Sequence, residues 1–256
     1  RPLPQYSGLY VYAPLVSANY ESLQTQLERR FQSGLSVLAA YTYSHSIDNG
    51  PSQADNGVGD PGPQNAFNFA AERGNSNFDL RHRFVVSSVY QLPFGKGKPL
   101  FNQSRAAGAV LGDWQLMGIF SVQTGLPFTP VLSFDPTNTG SGTARPNRNA
   151  SGVLTNPGPS AWFSTAAFAT PAAFVYGNSG RNILSGPGFH NIDLGLSRSI
   201  SFFERYQLEF RAEAFNLFNT PQFGLPNATL GVATSGVIST VVNPQRELQL
   251  ALRFAF

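Results

Sequence analysis

The chain of 256 residues carries 17 basic and 14 acidic side chains, and its charged fraction of 12% is about half that of an average soluble domain. The net charge of +3 is small and scattered, so it does not indicate a nucleic-acid-binding protein. The lack of cysteine excludes a disulfide framework, a thiolate nucleophile and a zinc site with cysteine ligands. No apolar run approaches the roughly 18 residues of a membrane-spanning helix, so a membrane span would have to consist of strands.

The first elements in the chain differ in how clearly they can be assigned. Residues 19–31 are ambiguous, because their apolar side chains fit a helical i, i+4 stripe with Asn19 as N-cap as well as they fit strand alternation. Residues 35–45 are a clear strand, since their odd positions are apolar: Leu35, Val37, Ala39, Tyr41 and Tyr43. Alternating tyrosines permit one further short strand at residues 6–12.

If residues 19–31 form a strand, they should pair with residues 35–45 in a hairpin. Both apolar sets occupy odd positions, so a turn of odd length, Gln32–Gly34, would place them on one face. The expected pairs are Phe31 with Leu35, Arg29 with Val37, Leu27 with Ala39, Thr25 with Tyr41 and Leu23 with Tyr43. In this register the tyrosines would form an aromatic girdle at one membrane interface, and Arg29 would snorkel at the other.

Five more strands follow from the same alternation. The clearest is Tyr206–Ala214, where every even position is apolar or small and every odd position between them is polar. A short turn at Phe202–Arg205 would make it a hairpin with the strand before it. The five segments are residues 81–92, 114–124, 191–197, 206–214 and 247–256.

Long and short connections alternate along the chain. Three stretches rich in Asn, Gly and Pro have no periodicity and predict long loops: residues 46–77, 133–188 and 220–244. Such loops are unusual in a compact soluble domain, but an outer-membrane barrel has long extracellular loops and short periplasmic turns. The expected fold is therefore an all-β, antiparallel up-and-down outer-membrane β-barrel segment of seven strands, or eight if residues 6–12 form one.

The last strand resembles the signal by which the barrel-assembly machinery recognises its substrates. It ends in phenylalanine, and its apolar residues alternate with others: Leu248, Leu250, Leu252, Phe254 and Phe256. The alternative interpretation is an ordinary amphipathic edge strand that happens to end in Phe.

No catalytic set is present in the sequence, so we expect neither an enzyme nor a cofactor. The three histidines, His45, His82 and His190, are isolated from one another and from acids at ligand spacing. Asp48-Asn-Gly50 and Asp55–Asp60 lack the spacing of a calcium loop, which favours solvated turns. Gly95–Lys98 lacks the spacing of a phosphate-binding loop and favours a basic turn.

Three charged residues, spaced two positions apart, lie on one face of a predicted strand. Glu209, Arg211 and Glu213 could be a pair of acids around an arginine, but this spacing is better explained as a charge ladder that lines a wet lumen.

Several longer motifs resemble the C-terminal part of the Oar-like TonB-dependent outer-membrane receptors. The motifs are Trp162-Phe163 with Ala167-Phe168, Tyr176–Asn182, Gly186–Phe189, Asp193-Leu194, Phe210–Asn219 and Pro221–Gly224, with Tyr20–Phe31 and Ala39–Asp48 upstream. The resemblance covers nearly the whole chain. It implies a barrel of about 22 strands around an N-terminal plug, with import driven by an inner-membrane energy-coupling complex. Residues 1–256 would be the C-terminal portion of that barrel, with no plug domain among them.

The leading hypothesis is thus a part of a receptor that binds a ligand and takes it up across the outer membrane of a Gram-negative bacterium. The alternatives are a structural or adhesive barrel without transport, and a soluble β-sandwich binding module. The expected partners are outer-membrane lipid and the barrel-assembly machinery, with the energy-coupling complex reached only through a plug. No nucleic acid is expected, and the ligand stays open because specificity would lie in the loops.

Overall fold

The computed structural model describes residues 14–50, 62–95, 97–102, 108, 110–140, 144–202 and 205–256, and its main feature is one large antiparallel sheet. Seven long strands pair in chain order, each with the next, which confirms the predicted up-and-down meander. Residues 6–12 lie outside the described part. The strands are β1 (Ala18–Gln32), β2 (Leu35–Asp48), β3 (His82–Gln91), β4 (Trp114–Gln123), β5 (Phe189–Phe202), β6 (Tyr206–Phe215) and β7 (Glu247–Ala255).

The first hairpin resolves the ambiguity at residues 19–31. This segment belongs to strand β1, so the competing helix is wrong. Four of the five expected pairs are confirmed: Leu23 with Tyr43, Thr25 with Tyr41, Leu27 with Ala39 and Arg29 with Val37.

The turn of this hairpin differs from the prediction. Gln32, and not Phe31, pairs with Leu35, so the turn has two residues, Ser33 and Gly34, instead of three. Both have positive φ, 53° and 81°, as in the type I′ turn whose twist suits a hairpin. A bulge earlier in β1 takes up the extra residue.

The sheet has an apolar face and a polar face, because the apolar residues of each strand pair with apolar residues of its neighbours. One row of paired residues crosses the apolar face: Leu35, Tyr90, Leu116, Leu196, Ala212 and Leu250. The next row lies on the polar face: Gln91, Gln115, Ser197, Arg211 and Ala251.

The longest connections all lie at one end of the sheet, here termed the long-loop end. They are residues 49–81, 124–188 and 216–246. The start of β1 is at this end too, since Ala18 pairs with Asp48. The opposite, short-turn end carries Ser33-Gly34, residues 92–113, residues 203–205 and Phe256. This arrangement was predicted, except that residues 92–113 are far longer than a turn.

The long connections are not the structureless loops that their composition suggested. Their described residues form a folded layer, here termed the cap, which comprises 62–81, 124–140, 144–188 and 216–246. Its helices are the 3₁₀ turns Phe69–Glu72 and Thr165–Ala167. Its strands are Gly74–Asn75, Pro127–Phe128, Val131–Leu132, Asn147–Arg148, Val153–Gly158, Ala161–Phe163, Phe168–Ala169, Leu184–Ser185 and Thr229–Leu230.

The cap has a hydrophobic core of its own. Strand Leu184–Ser185 pairs with Pro127–Phe128, and Thr229–Leu230 pairs with Val131–Leu132, so distant parts of the chain are joined. The buried side chains of the core are Phe128, Phe163, Ala167, Phe168, Leu184 and Leu230. Strands of two residues are too short to show a period, which is why the sequence did not reveal them.

Strands β1 and β7 are the edges of the sheet within the described part of the chain. Both run from the long-loop end to the short-turn end, so the two edges point in the same direction. Their apolar side chains are largely exposed, with 70% exposure for Leu27 and 74% for Leu250.

Candidate functional site

Two buried ion pairs fasten the cap together and hold it on the end of β2. The terminal nitrogens of Arg145 lie 2.6 and 3.0 Å from the carboxylate oxygens of Glu72. Arg181 pairs with the carboxylate of Asp48 and also donates to the backbone carbonyls of Gly50 and Glu72. Since unpaired buried charges are very costly, both pairs are strong restraints on the position of the cap.

This second pair corrects the interpretation of Asp48-Asn-Gly50 as a solvated turn. Asp48 is buried, and its carboxylate is occupied by Arg181. The other candidate calcium loop, Asp55–Asp60, lies outside the described residues.

Hydrogen bonds add to this attachment at the end of β2. The backbone N–H of Ser46 donates to a carboxylate oxygen of Asp79 at 2.7 Å, and the hydroxyls of Ser46 and Ser76 are 2.8 Å apart. Deeper in the cap, the hydroxyl of Thr129 donates to the side-chain oxygen of Asn182 at 2.9 Å. The cap is therefore built on a fixed polar base.

Several phenylalanines of the cap are exposed. Phe67 is 99% exposed and Phe174 is 76% exposed. Phe174 also has a φ of 66°, a left-handed conformation that is unfavourable for a bulky residue, and its N–H donates to the carbonyl of Pro136. Phe134, two residues before Pro136, is half exposed as well. Exposed aromatic side chains on an ordered scaffold are suited to contact with a ligand or another surface.

An aspartate-centred turn orders the chain beside these residues. The carboxylate of Asp135 accepts hydrogen bonds from the hydroxyl and N–H of Thr137 and from the N–H of Gly140. These bonds hold the pKa of Asp135 below its usual value, and the bond from the Thr137 hydroxyl contributes most to this shift.

The predicted charge ladder lies on the polar face of β6. Arg211 is 2.9 Å from Glu209 and 3.9 Å from Glu213. A fourth charge, Arg253 on β7, is the register partner of Glu209 and was not part of the predicted ladder. These residues, with Gln249 of β7, line an open cleft of about 240 Å³. A lumenal role for the ladder stays a prediction.

The residues of the predicted assembly signal lie on the exposed edge strand and at its end. Leu248, Leu250 and Leu252 are each at least 70% exposed, and Phe254 stacks with Tyr206 and Phe256. An aromatic group thus marks the short-turn end of the apolar face, while recognition by the assembly machinery stays a prediction.

The histidines lie at separate places in the structure. His82 is 2.8 Å from the hydroxyl of Tyr41, and its ring lies 5.1 Å from that of Tyr43. His45 is hydrogen-bonded to Asn75, and the backbone N–H of His190 donates to Gln222. In the described ranges, no three His, Cys, Asp or Glu side chains come close enough together to hold a metal ion.

The basic turn predicted at residues 95–98 follows β3. The N–H of Lys98 donates to the carbonyl of Gly95, and its ammonium group donates to Gln91 at 3.1 Å.

None of the helices in the described part of the chain has the length and apolar character needed to cross a membrane.

A meandering antiparallel sheet with one apolar face, one polar and charged face and its three longest connections at one end has the construction of an outer-membrane β-barrel wall. Residues 1–249 match the family model of the outer membrane beta barrel domain, and the chain belongs to this family. Its location is therefore the outer membrane of a Gram-negative bacterium. Neither the curated proteins nor the solved structures yielded a match.

Proposed function

We propose that the chain is the C-terminal part of the barrel of an Oar-like TonB-dependent receptor, which binds a ligand at the cell surface and takes part in its uptake. In this arrangement the apolar face meets lipid and the polar face lines the lumen. The long-loop end with the cap lies outside the cell, and the short-turn end lies in the periplasm. The resemblance of the motifs from Trp162 to Gly224 to that family supports the proposal.

The direction of the two edge strands carries the proposal that this sheet belongs to a larger barrel. Because β1 and β7 run the same way, pairing them would insert one parallel ladder into an antiparallel sheet. A second copy in the same membrane orientation would create the same parallel pair. An antiparallel wall closes only if an odd number of further strands lies between the two edges, and unpaired backbone groups in lipid cost several kcal/mol each.

The ordered cap favours a role in binding, either for uptake or for adhesion. Its aromatic residues Phe67, Phe134 and Phe174 offer contact area to a ligand in the first case and to another surface in the second. The charge ladder of Glu209, Arg211 and Glu213 favours uptake, because a charged lumen wall serves a solute that passes along it. A soluble β-sandwich is disfavoured by the family and by the exposed apolar edges.

The proposal includes no catalytic step and no resident cofactor. Its partners are outer-membrane lipid, the barrel-assembly machinery acting on β7, and an energy-coupling complex that reaches the barrel only through a plug domain. Nucleic acid is not among them.

Depletion of medium components distinguishes uptake from adhesion, and it does so even when the ligand is unidentified. Mass spectrometry would compare spent medium from cells with the protein, without it, and without the inner-membrane energy-coupling protein. If the protein serves uptake, at least one component of the medium should be depleted only by cells that have both this protein and the energy-coupling protein. Loss of surface attachment on deletion of the protein, with no such component, would favour the adhesive barrel.

A further inference from the structure

An open cavity lies at the short-turn end of the sheet, beside the described residues of the connection between β3 and β4. Strand β4 begins at Trp114, opposite Arg198, while β5 continues for four more residues to Phe202. The last residues of β5 therefore extend beyond β4, and a cavity of about 630 Å³ lies beside them. Side chains from both faces of the sheet line the cavity, because β4 does not extend to this end and leaves the last residues of β5 without a neighbouring strand on that side.

Arg198 on the wall of this cavity has an unusual position. It is the only Asp, Glu, Lys or Arg that β3, β4, β5 or β6 places on the apolar face. Its register partners are two aromatic residues, Trp114 and Phe210. The guanidinium carbon lies 5.7 Å from the centre of the Trp114 ring, in cation–π geometry.

The connection itself is held against Arg198 and Trp114. The guanidinium of Arg198 and the indole N–H of Trp114 both donate to the backbone carbonyl of Val110, each at 3.0 Å. The backbone N–H of Gly112 donates to the carbonyl of Gly108, which closes a helical turn at this place. The cavity is thus a folded feature with a fixed arginine.

Positive charge and hydrogen-bonding groups dominate the polar wall. Lys98 and Arg198 are its two cations, and Asp113 is its one carboxylate. Gln91, Gln115 and the serines of β5 supply neutral polar groups. Such a wall suits a monoanion with several oxygen acceptors, and arginine pairs well with phosphate oxygens.

The same connection also carries exposed apolar side chains. Leu100, Phe101, Val110 and Leu111 are between 41% and 64% exposed. A site with a cationic pocket beside exposed apolar residues matches a ligand that is itself amphipathic.

We propose that this cavity binds the phosphate-bearing headgroup of an anionic phospholipid in the membrane leaflet next to the short-turn end. Arg198 and Lys98 contact the phosphate, and the apolar residues of the connection contact the acyl chains. Arg198 lies about 13 Å along the strand from the end of β5, within the depth from which an arginine can snorkel to the headgroup region. The proposal needs only the membrane location of the family and not the transport role.

Native mass spectrometry of the purified protein, released from nanodiscs of phosphatidylglycerol and phosphatidylcholine in equal amounts, tests this proposal. We expect the parent to retain phosphatidylglycerol selectively. Arg198→Gln and Lys98→Gln should each lose this selectivity, while Arg83→Gln, on the polar face at the other end of β3, should keep it. Two variants of the site, Arg198→Gln and Lys98→Gln, are used so that a folding defect in one of them does not decide the result. Gel mobility with and without heating shows whether each variant is folded.

Three outcomes would overturn the proposal. The first is equal retention of both lipids by the parent, and the second is full selectivity in folded Arg198→Gln and Lys98→Gln variants. The third is displacement of the retained lipid by millimolar inorganic phosphate, which would show that the cavity prefers a free anion to a lipid headgroup.

Discussion

Arg145 approaches Glu72 with both terminal nitrogens, at 2.6 and 3.0 Å, and neither side chain is more than 3% exposed. The pair joins the first long connection to the second across 73 positions of sequence. It explains how segments rich in Asn, Gly and Pro can form an ordered cap.

Glu72→Gln should loosen the cap, because it leaves the charge of Arg145 buried without a counter-ion. We expect a loss on the order of 3–5 kcal/mol in the local stability of the cap. Hydrogen exchange of cap amides in the folded protein measures it, with Arg73→Gln, at the exposed neighbouring position, as the control. Equal protection in both variants would contradict the assigned role of the pair.

Arginine substitutions on β6 and β7 test the assignment of the two faces. Leu208→Arg or Leu250→Arg should cost on the order of 2–4 kcal/mol if the residue lies near the middle of the bilayer. Gln207→Arg and Gln249→Arg should be tolerated, since Gln249 faces Glu213 across the strands. Unfolding by urea in lipid vesicles measures the costs. Equal losses on both faces would indicate a sheet buried on both sides.

Gly34→Ala tests the two-residue turn of the first hairpin. The φ of Gly34 is 81°, and an added Cβ would lie 3.1 Å from the carbonyl oxygen of Gln91. A left-handed conformation costs a residue with a side chain about 1–2 kcal/mol, so a loss of that size is expected in urea unfolding. Ser33→Asn should be neutral or stabilising, because Asn-Gly is favoured in type I′ turns. A neutral Gly34→Ala variant would argue against the turn.

The stability of the turn around Asp135 should decrease at acid pH. The pKa of Asp135 is lowered in the folded protein from 3.8, so the turn is stabilised above the unfolded value and loses this contribution as pH falls through the lower, folded value. Exchange at the amides of Thr137 and Gly140 should therefore increase at acid pH after correction for intrinsic rates. Asp135→Asn should exchange fast at every pH, and a parent without any such change would refute the assignment.

Much of the sheet could be predicted from sequence because its strands are long and alternate regularly. In Tyr206–Ala214, five apolar or small positions in step determine both the strand and its face. The turn at Ser33-Gly34 shows the limit of this reasoning. Parity indicated a turn of odd length, but a bulge in β1 shifted the count by one.

The contacts of the cap and of the polar face could not be predicted in the same way. Nothing in the local sequence links Glu72 to Arg145, because their pairing depends on how two long connections fold. Likewise, alternation assigns Arg253 to a face but does not show that Glu209 is its partner. That pairing depends on the register of β7, which the connection 216–246 sets.

Labelling of single cysteines in intact cells tests the central claim most directly, namely that the sheet crosses the outer membrane with the cap outside. The chain has no cysteine of its own. Phe67→Cys lies on the cap, and Gln32→Cys lies at the short-turn end, both at exposed positions. We predict that a membrane-impermeant maleimide labels Phe67→Cys in intact cells but labels Gln32→Cys only after the outer membrane is permeabilised. Labelling of Gln32→Cys from outside, with Phe67→Cys protected, would contradict the account.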